Sequence, residues 1–270
     1  RWPSVPPILR HIRLHETATK RYICKTTPSA NDFAHTLTAH TTGHAMQHLT
    51  DKRILVTQAD AFMGPALCTT LADHGAHVIS DTRVLTLPHD AQALIDSAGP
   101  LDVLVINLAM AAPSTPVADI QDDEWRQVFE VMVDPLPRLL RAVVPGMKAR
   151  GGGKVIVMGS AAALRGMKRT ASYSAARGAQ LAFVQAAGVE LAPDNIQVNA
   201  IAQNFVDNPT YFPAEVQANP RFQERLKREV PLGRLVSALE DTSFVAYLCS
   251  DAANCFVGQV FPMSGGWAVR

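Results

Sequence analysis

The chain has 270 residues, of which 47% are hydrophobic, and its formal net charge is +1. This length and composition suffice for one large core, so no second globular domain is expected. No block of lysine or arginine lies beyond the N-terminal segment, which excludes a nucleic acid or an anionic membrane as partner and favours a small neutral molecule. No apolar stretch approaches the roughly 20 residues of a membrane span. Four scattered cysteines without metal-ligand spacing are typical of reduced thiols, which predicts a cytoplasmic protein.

Residues 1–50 differ in composition from the rest of the chain. They contain two acidic and six basic residues and no sustained apolar period. This predicts a flexible N-terminal arm, which is either a targeting segment or an extension ahead of a native start at Met46. His40, His44 and His48 recur every four residues, a spacing that can bind a metal from one helix face. Because the neighbouring glycine and threonines weaken such a helix, we favour an exposed polar arm without a metal.

Residues 51–270 alternate between apolar runs and helix-length segments and are predicted to form one Rossmann-like catalytic domain. The predicted strands are RILVT, AHVIS, LDVLVIN, GKVIVMGS, IQVNAI and QVFPM. The predicted helices span 64–74, 88–98, 122–150, 171–190 and 238–250. The stretch 81–101 leaves room for one small strand and one helix. This alternation predicts an α/β fold with a doubly wound parallel sheet, whose ligand binds beyond the carboxyl ends of the strands.

The strongest chemical signal is the stretch GSAAALRGMKRTASYSAAR. Ser160 ends a strand, Tyr173 follows thirteen residues later, and Arg177 lies four residues beyond it. The spacing of four places Tyr173 and Arg177 on one helix face. A nearby guanidinium favours the phenolate over the phenol, whose ordinary pKa is about 10. Tyr173 is therefore predicted to act as a general base while the Ser160 hydroxyl holds the substrate oxygen.

These motifs resemble the short-chain dehydrogenase/reductase fold. Ser160 and Tyr173 have that family's catalytic spacing, PLGRL follows at 231–235, and glycines recur at 258 and 265–266. Several residues depart from the reductase pattern at positions where reductases bind the nucleotide. Arg177 replaces the lysine that binds the nicotinamide ribose in reductases. The glycine turn TQADAFMG keeps only its last glycine, because Gln58 and Phe62 occupy the first two glycine positions.

Two further departures concern the nicotinamide side of the site. IAQNF stands where reductases carry a Pro-Gly that contacts nicotinamide, and Met132 replaces their catalytic asparagine. The complete set resembles the halohydrin dehalogenases, which use this fold without a nucleotide. The resemblance implies no cofactor and no metal, with Ser160, Tyr173 and Arg177 as the catalytic residues. It also implies conversion of vicinal haloalcohols to epoxides, reversibly, with ring opening by azide, cyanide or nitrite.

The loop AQNFVDNPTYFP resembles the halide-pocket loop of that family. The halide and substrate pocket is predicted to comprise Phe62, Gln203, Asn204, Phe205, Tyr211 and Phe212. Aromatic edges and N–H donors would stabilise the halide weakly enough to release it. The resemblance also implies a homotetramer built through helices 122–150 and 171–190. Some relatives support the arginine with an aspartate near Leu108, which is absent here, so the sequence leaves the orientation of Arg177 unexplained.

Two other classes of function stay open from the sequence. One is an NAD(P)H-dependent reductase with an atypical turn, in which Asp81 would bind the adenosine ribose. Phe62 argues against it, because a bulky side chain blocks the close approach of a pyrophosphate. The other is a non-catalytic binding protein on the same fold, against which the intact Ser-Tyr-Arg set argues.

Overall fold

The computed structural model describes residues 49–269. Six parallel strands form one sheet in the order β2-β1-β3-β4-β5-β6. The strands are β1 (Arg53–Val56), β2 (His77–Ser80), β3 (Val103–Ile106), β4 (Gly153–Ser160), β5 (Ile196–Gln203) and β6 (Val260–Met263). The predicted α/β fold with a doubly wound parallel sheet is confirmed. The strand order reverses between β1 and β3, and such a reversal opens a crevice at the carboxyl ends of the strands.

Eight α-helices connect or follow these strands within the described residues. They are α1 (Gly64–Asp73), α2 (Asp90–Ala98), α3 (Asp122–Met132), α4 (Pro135–Ala149), α5 (Ala171–Leu191), α6 (Ala214–Gln217), α7 (Pro220–Glu229) and α8 (Ala238–Cys249). Ser237 caps α8 in a capping box with Glu240, which satisfies two N–H groups that the first helical turn leaves without partners. The start of α8 is therefore encoded locally.

The two faces of the sheet carry separate hydrophobic cores. Apolar side chains of α2, α4 and α5 pack on one face. Those of α1 and α8 pack on the other. Strands β3 and β4 contribute residues to both cores, which explains why their sequences are continuous apolar runs without alternation. A third cluster joins α3 to the start of α5 and contains Tyr173, so this packing fixes the position of the predicted base.

The observed helices and strands differ from the predicted ones in several places. The helix predicted over 122–150 is two helices, because Pro135 lacks the N–H that a continuous helix would need and instead begins α4. Helices α6 and α7 were not predicted: α6 has only four residues, and only Leu226 of the ten residues of α7 is buried, so its apolar pattern is weak. The stretch 81–101 holds helix α2 but no strand. The other predicted strands and helices agree with the observed ones within two residues at each end.

Several sequence-level expectations concern absences. No helix in the range 49–269 combines the length and the apolar character needed to cross a membrane. The same residues contain no cluster of side chains suited to hold a metal ion. His40, His44 and His48, like nearly all of the predicted arm, lie outside the described residues. Cys68, Cys249 and Cys255 carry free thiols.

Candidate active site

A cavity of about 290 Å³ opens at the carboxyl ends of β4 and β5. It is lined by Ser160, Tyr173, Arg177, Phe62, Gln203, Asn204, Phe205, Tyr211 and Phe212, together with further residues. The structure thus brings all nine residues singled out in the sequence to one cavity. The parallel sheet explains this, since strand ends that are distant in sequence meet at one edge.

Ser160 occupies the last position of β4. Its Oγ donates a hydrogen bond to the carbonyl oxygen of Gln203 at 3.3 Å and accepts one from the Ala162 N–H at 3.2 Å. The first bond joins the ends of β4 and β5, which pair in register at these two residues. The serine hydroxyl is therefore held at the cavity wall, where a weak bond to a carbonyl can be exchanged for one to a substrate oxygen.

Tyr173 lies in the first turn of α5 with only 5% of its surface exposed. Burial raises the pKa of its phenol. The positive charge and hydrogen bond of Arg177, together with the neighbouring Ser160 and Tyr211 hydroxyls, lower that pKa by more than burial raises it. The net result is a pKa below the ordinary value. A tyrosine with this property can accept a proton closer to neutral pH than a free phenol can.

Arg177 is 4% exposed and is held by four hydrogen bonds. Its Nε donates to the Tyr173 hydroxyl at 3.1 Å. Its Nη1 donates to the carbonyl oxygens of Leu108 (3.1 Å) and Met158 (2.9 Å) and to Gln180 Oε1 (3.0 Å). The orientation that the sequence left unexplained thus comes from two backbone carbonyls and one buried amide.

Gln180 is fully buried one turn beyond Arg177 on α5. Its own Nε2 donates to the Met132 carbonyl oxygen at 2.6 Å, which fixes its Oε1 toward the arginine. This residue was not predicted from the sequence. Its spacing of three from Arg177 was the available signal, because such residues share a helix face.

The β1–α1 turn carries side chains where a dinucleotide fold needs glycines. Gln58 and Phe62 have φ angles of +45° and +53°, in the left-handed region that glycine tolerates and other residues occupy at a cost of about 1–2 kcal/mol each. The backbone of the turn has thus kept a glycine-like conformation. Gly64 remains necessary, because a Cβ there would lie 2.4 Å from the Gln58 carbonyl oxygen.

Hydrogen bonds to β3 and to the segment after it hold this turn. Gln58 Oε1 accepts the Ala109 N–H at 2.8 Å. Asn107 Nδ2 donates to the carbonyl oxygens of Gln58 and Ala61, both at 3.0 Å. The Gln58 side chain is therefore a built part of the fold. This side chain is only 6% exposed, so it is packed inside the protein and does not extend into solvent.

The fold's usual dinucleotide does not fit these residues. A pyrophosphate needs close backbone approach at the first two glycine positions of the turn, and here both carry side chains. Phe62 projects into the cavity and contacts the Tyr211 ring, with ring centroids 5.6 Å apart. The lysine that would bind the nicotinamide ribose is also absent, since Arg177 fills its place and is bonded to the protein.

Aromatic side chains form one wall of the cavity. Phe205 stacks on Phe212 at 6.1 Å and meets Trp267 edge-on at 6.1 Å. The Tyr211 hydroxyl donates to the Met110 carbonyl oxygen at 3.1 Å and accepts the Ala112 N–H at 3.2 Å. Burial raises the pKa of Tyr211, so this phenol stays protonated and serves as a hydrogen-bond donor.

Most backbone N–H groups of the predicted halide loop are already bonded. The Asn204 N–H donates to the Met263 carbonyl oxygen and the Phe205 N–H to Asn204 Oδ1. The N–H groups of Tyr211 and Phe212 donate to Asn208. These groups do not provide the free donors that an anion needs. Gln203 and Asn204 also line the cavity and carry further N–H groups in their side-chain amides, one of which, in Gln203, is bonded to Asp241.

Behind the cavity, Gln203 joins a buried acid. Its Nε2 donates to Asp241 Oδ2 at 2.6 Å, while its carbonyl oxygen accepts the Ser160 hydroxyl. Asp241 lies in the first turn of α8 and is 0% exposed. It was not predicted from the sequence, although an acid at a buried position of α8 was the available signal. Arg225 of α7 also lines the cavity and was missed with its helix.

Comparisons with known proteins place this geometry in a family. The model of the family described as enoyl-(acyl carrier protein) reductase matches residues 76–268. Dehydrogenase/reductase SDR family member 4 of Bos taurus is 28% identical over 246 residues, which cover 81% of this chain and 88% of the relative. The chain belongs to the short-chain dehydrogenase/reductase superfamily, and the family predicted from its motifs is confirmed at this level.

Two solved structures add a finer likeness. One described as a dehalogenation enzyme is 32% identical, has a TM-score of 0.77, and aligns with 82% of this chain and 100% of its own. Another is a halohydrin dehalogenase bound to ethyl (2S)-oxiran-2-ylacetate, 27% identical with a TM-score of 0.74, covering 81% of this chain and 98% of its own. The relatives of this chain therefore include both reductases and dehalogenases.

Proposed function

We propose that the protein is a cofactor-independent halohydrin dehalogenase, which converts a vicinal haloalcohol to an epoxide, a halide ion and a proton. One observation carries the proposal. A Ser160-Tyr173-Arg177 site lines the same cavity as a β1–α1 turn filled by Gln58 and Phe62. The acid–base half of a reductase site is thus present without a place for the nucleotide's pyrophosphate.

The first step is removal of the substrate's hydroxyl proton. Arg177 favours the phenolate of Tyr173, and this phenolate accepts the proton while Ser160 donates a hydrogen bond to the same substrate oxygen. A guanidinium fixed by three protein acceptors besides the phenol acts without reorganising, which is the condition for effective electrostatic stabilisation.

The second step is an intramolecular displacement. The alkoxide oxygen forms a bond to the neighbouring carbon, the carbon–halogen bond breaks, and the halide leaves with the electron pair. The leaving halide lies among aromatic edges of Phe62, Phe205 and Phe212 and the amide of Gln203. Run in reverse, the same site opens an epoxide with azide, cyanide or nitrite, and Tyr173 returns the proton.

The likeness to two dehalogenase structures supports this proposal, because their 27% and 32% identities extend over most of both chains. The second candidate is an NAD(P)H-dependent reductase, which the name of the curated relative favours. Asp81 is the residue that would bind the adenosine ribose in such an enzyme. Its carboxylate instead accepts hydrogen bonds from the Arg83 guanidinium at 2.6 Å and the Arg83 N–H at 3.1 Å.

We further propose a homotetramer that contacts its copies through α3, α4 and α5, and a cytoplasmic location. The exposed apolar residues on these helices support the contact. Trp125 of α3 is 43% exposed and Val189 of α5 is 71% exposed, and Trp125 stacks on Phe129 at 4.8 Å. Sedimentation of the purified full chain tests the assembly.

Azide-dependent opening of a simple epoxide, with no nucleotide added, tests the proposed function. We expect the azidoalcohol to form with the parent chain and to fall by about 10²–10⁴-fold in Tyr173→Phe, the range for loss of a general acid–base. Tyr247→Phe is the matched control, because this half-exposed tyrosine of α8 lies away from the cavity. Ketone-dependent oxidation of NADPH without any azidoalcohol would support the reductase instead.

A further inference from the structure

Asp241 is a buried acid that takes no part in the proposed mechanism. Its side chain makes one hydrogen bond, from Gln203 Nε2. Its other oxygen, Oδ1, is fully buried and has no hydrogen-bond partner among residues 49–269. A buried carboxylate with an unsatisfied oxygen is unfavourable. Burial accordingly raises the pKa of Asp241 to about 7, despite the opposing hydrogen bond from Gln203.

No charged group among the described residues offsets this burial. The elements around Asp241 are α1, α8 itself, the ends of β4 and β5, and the turns that flank α8. Their charged side chains are engaged or distant, and none of them contributes to the pKa of Asp241. Glu240 is paired with Arg234, Asp73 ends α1, and Lys154 interacts with Asp251 and Cys249 at the far end of α8.

Two guanidinium groups line the cavity, but that of Arg225 is paired with Glu229 and that of Arg177 is bonded to Tyr173 and three further acceptors. The loop N–H groups of Asn204, Phe205, Tyr211 and Phe212 are bonded within the protein. Gln203 therefore matters, since the residue lines the cavity and its side-chain amide donates to Asp241. A negative charge on Asp241 would lie one hydrogen bond behind the group that has to bind the anion.

We propose that Asp241 controls anion binding in the cavity through Gln203. As a carboxylate it accepts the Gln203 N–H and repels an anion on the cavity side. As a neutral acid it carries no charge, and its O–H can donate to Gln203 Oε1, which turns the amide N–H groups toward the cavity. This inference rests on the proposed function, because the anion is the halide product or the small nucleophile of the reverse reaction.

The two directions of the reaction then respond oppositely to pH. Ionised Asp241 favours release of the halide, and ionised Tyr173 is the form that accepts the hydroxyl proton, so dehalogenation gains from both as pH rises. Neutral Asp241 favours retention of a nucleophilic anion. Asp241 is in this sense a positioning residue, which acts on the anion through the amide of Gln203.

Isothermal titration of the full chain with sodium bromide, at pH 6 and pH 8 and constant ionic strength, tests the proposal. The titrations use the Tyr173→Phe background, so that the phenol does not contribute to the pH dependence. We expect the dissociation constant to rise about tenfold between the two pH values, because the fraction of protein competent to bind falls by that factor. In the added Asp241→Asn variant the change should be less than twofold, and in Asp73→Asn, an exposed control, it should stay tenfold.

Each contrary outcome has a distinct meaning. Binding that changes less than twofold with pH in the Tyr173→Phe chain overturns the role of Asp241 and leaves the proposed function standing. A tenfold change that persists in Asp241→Asn overturns it as well. Bromide binding in no variant at either pH overturns both this inference and the halide pocket. Should Asp241→Asn fail to fold, Gln203→Met provides the second test, since it should weaken bromide binding at pH 6 at least tenfold, and unaltered binding overturns the proposal.

Discussion

Two parts of one cavity differ in how they relate to the reductase fold. The β4–α5 side keeps the serine and tyrosine of the superfamily, with an arginine fixed by Leu108, Met158 and Gln180. The β1–α1 side keeps the glycine-like backbone but fills it with Gln58 and Phe62. Under the proposed function, proton-transfer chemistry and nucleotide binding are separable features of the fold, because the first is kept while side chains close the site of the second.

Replacing Arg177 should have the largest effect on the catalytic side. Arg177→Met removes the charge that lowers the pKa of Tyr173 and takes one donor from each of the Leu108 and Met158 carbonyl oxygens. We expect haloalcohol turnover to fall by about 10²–10⁴-fold and the remaining activity to require a higher pH. A pH–rate profile measures both. Arg177→Lys keeps a charge, so its turnover should lie between those of the parent and Arg177→Met. An unshifted pH–rate profile in Arg177→Met would contradict this role of Arg177.

Asp241 should have the next largest effect, on stability. Because the pKa of Asp241 is about 7 in the folded protein against an ordinary 3.8, the folded state holds a proton that the unfolded state has lost between these values. The contribution of Asp241 to the free energy of unfolding is therefore fully present below about pH 4. It falls as the pH rises toward 7 and stays low above that value. Three pH units correspond to about 4 kcal/mol.

Asp241→Asn removes this titration while keeping an acceptor for Gln203. We expect the variant to gain stability over the parent at pH 8 and little at pH 4, in urea unfolding followed by circular dichroism at the two pH values. Equal differences at both pH values would show that the ionised acid is not destabilising. The exposed Asp73→Asn again provides the matched control.

Replacing Gln180 should have a smaller effect, which tests how Arg177 is held on the catalytic side. Gln180→Leu removes the acceptor at 3.0 Å from Arg177 Nη1 and leaves both backbone carbonyls in place. We expect about a tenfold fall in turnover, which corresponds to about 1.4 kcal/mol, with an alkaline shift of the pH–rate profile. Gln180→Glu keeps the acceptor but places a negative charge beside Arg177, which opposes the lowering of the Tyr173 pKa, so it should shift the profile to higher pH as well. A fall in turnover without any pH shift would indicate a merely structural residue.

The smallest effect concerns the turn. Phe62 has a left-handed backbone, so Phe62→Gly relieves strain that Phe62→Ala retains, while both lose the ring contact with Tyr211. We expect the glycine variant to be more stable than the alanine variant by about 1 kcal/mol. Thermal unfolding of the pair measures the difference. Equal stabilities would mean that the turn relaxes and that its glycine-like conformation is not imposed by the fold.

Much of this molecule could be predicted from its sequence, because apolar runs and a fixed Ser-Tyr-Arg spacing report directly on strands and on one helix face. The split of 122–150 at Pro135 and helix α7 were missed, since the first depends on one proline and the second buries a single leucine. Gln180 and Asp241 could not be assigned, because their roles arise from contacts across 48 and 38 residues of sequence, with Met132 and Gln203. Such contacts exist only once the sheet has formed.

Halide release from a simple brominated vicinal alcohol, in the complete absence of nucleotide, tests the central claim most directly. The account predicts that the parent chain releases bromide, protons and epoxide in equal amounts, that added NADPH changes nothing, and that Tyr173→Phe is inactive while Tyr247→Phe is not. Absence of bromide release from a series of such alcohols, together with NADPH oxidation by ketones, would contradict it and show that the filled turn still admits a nucleotide.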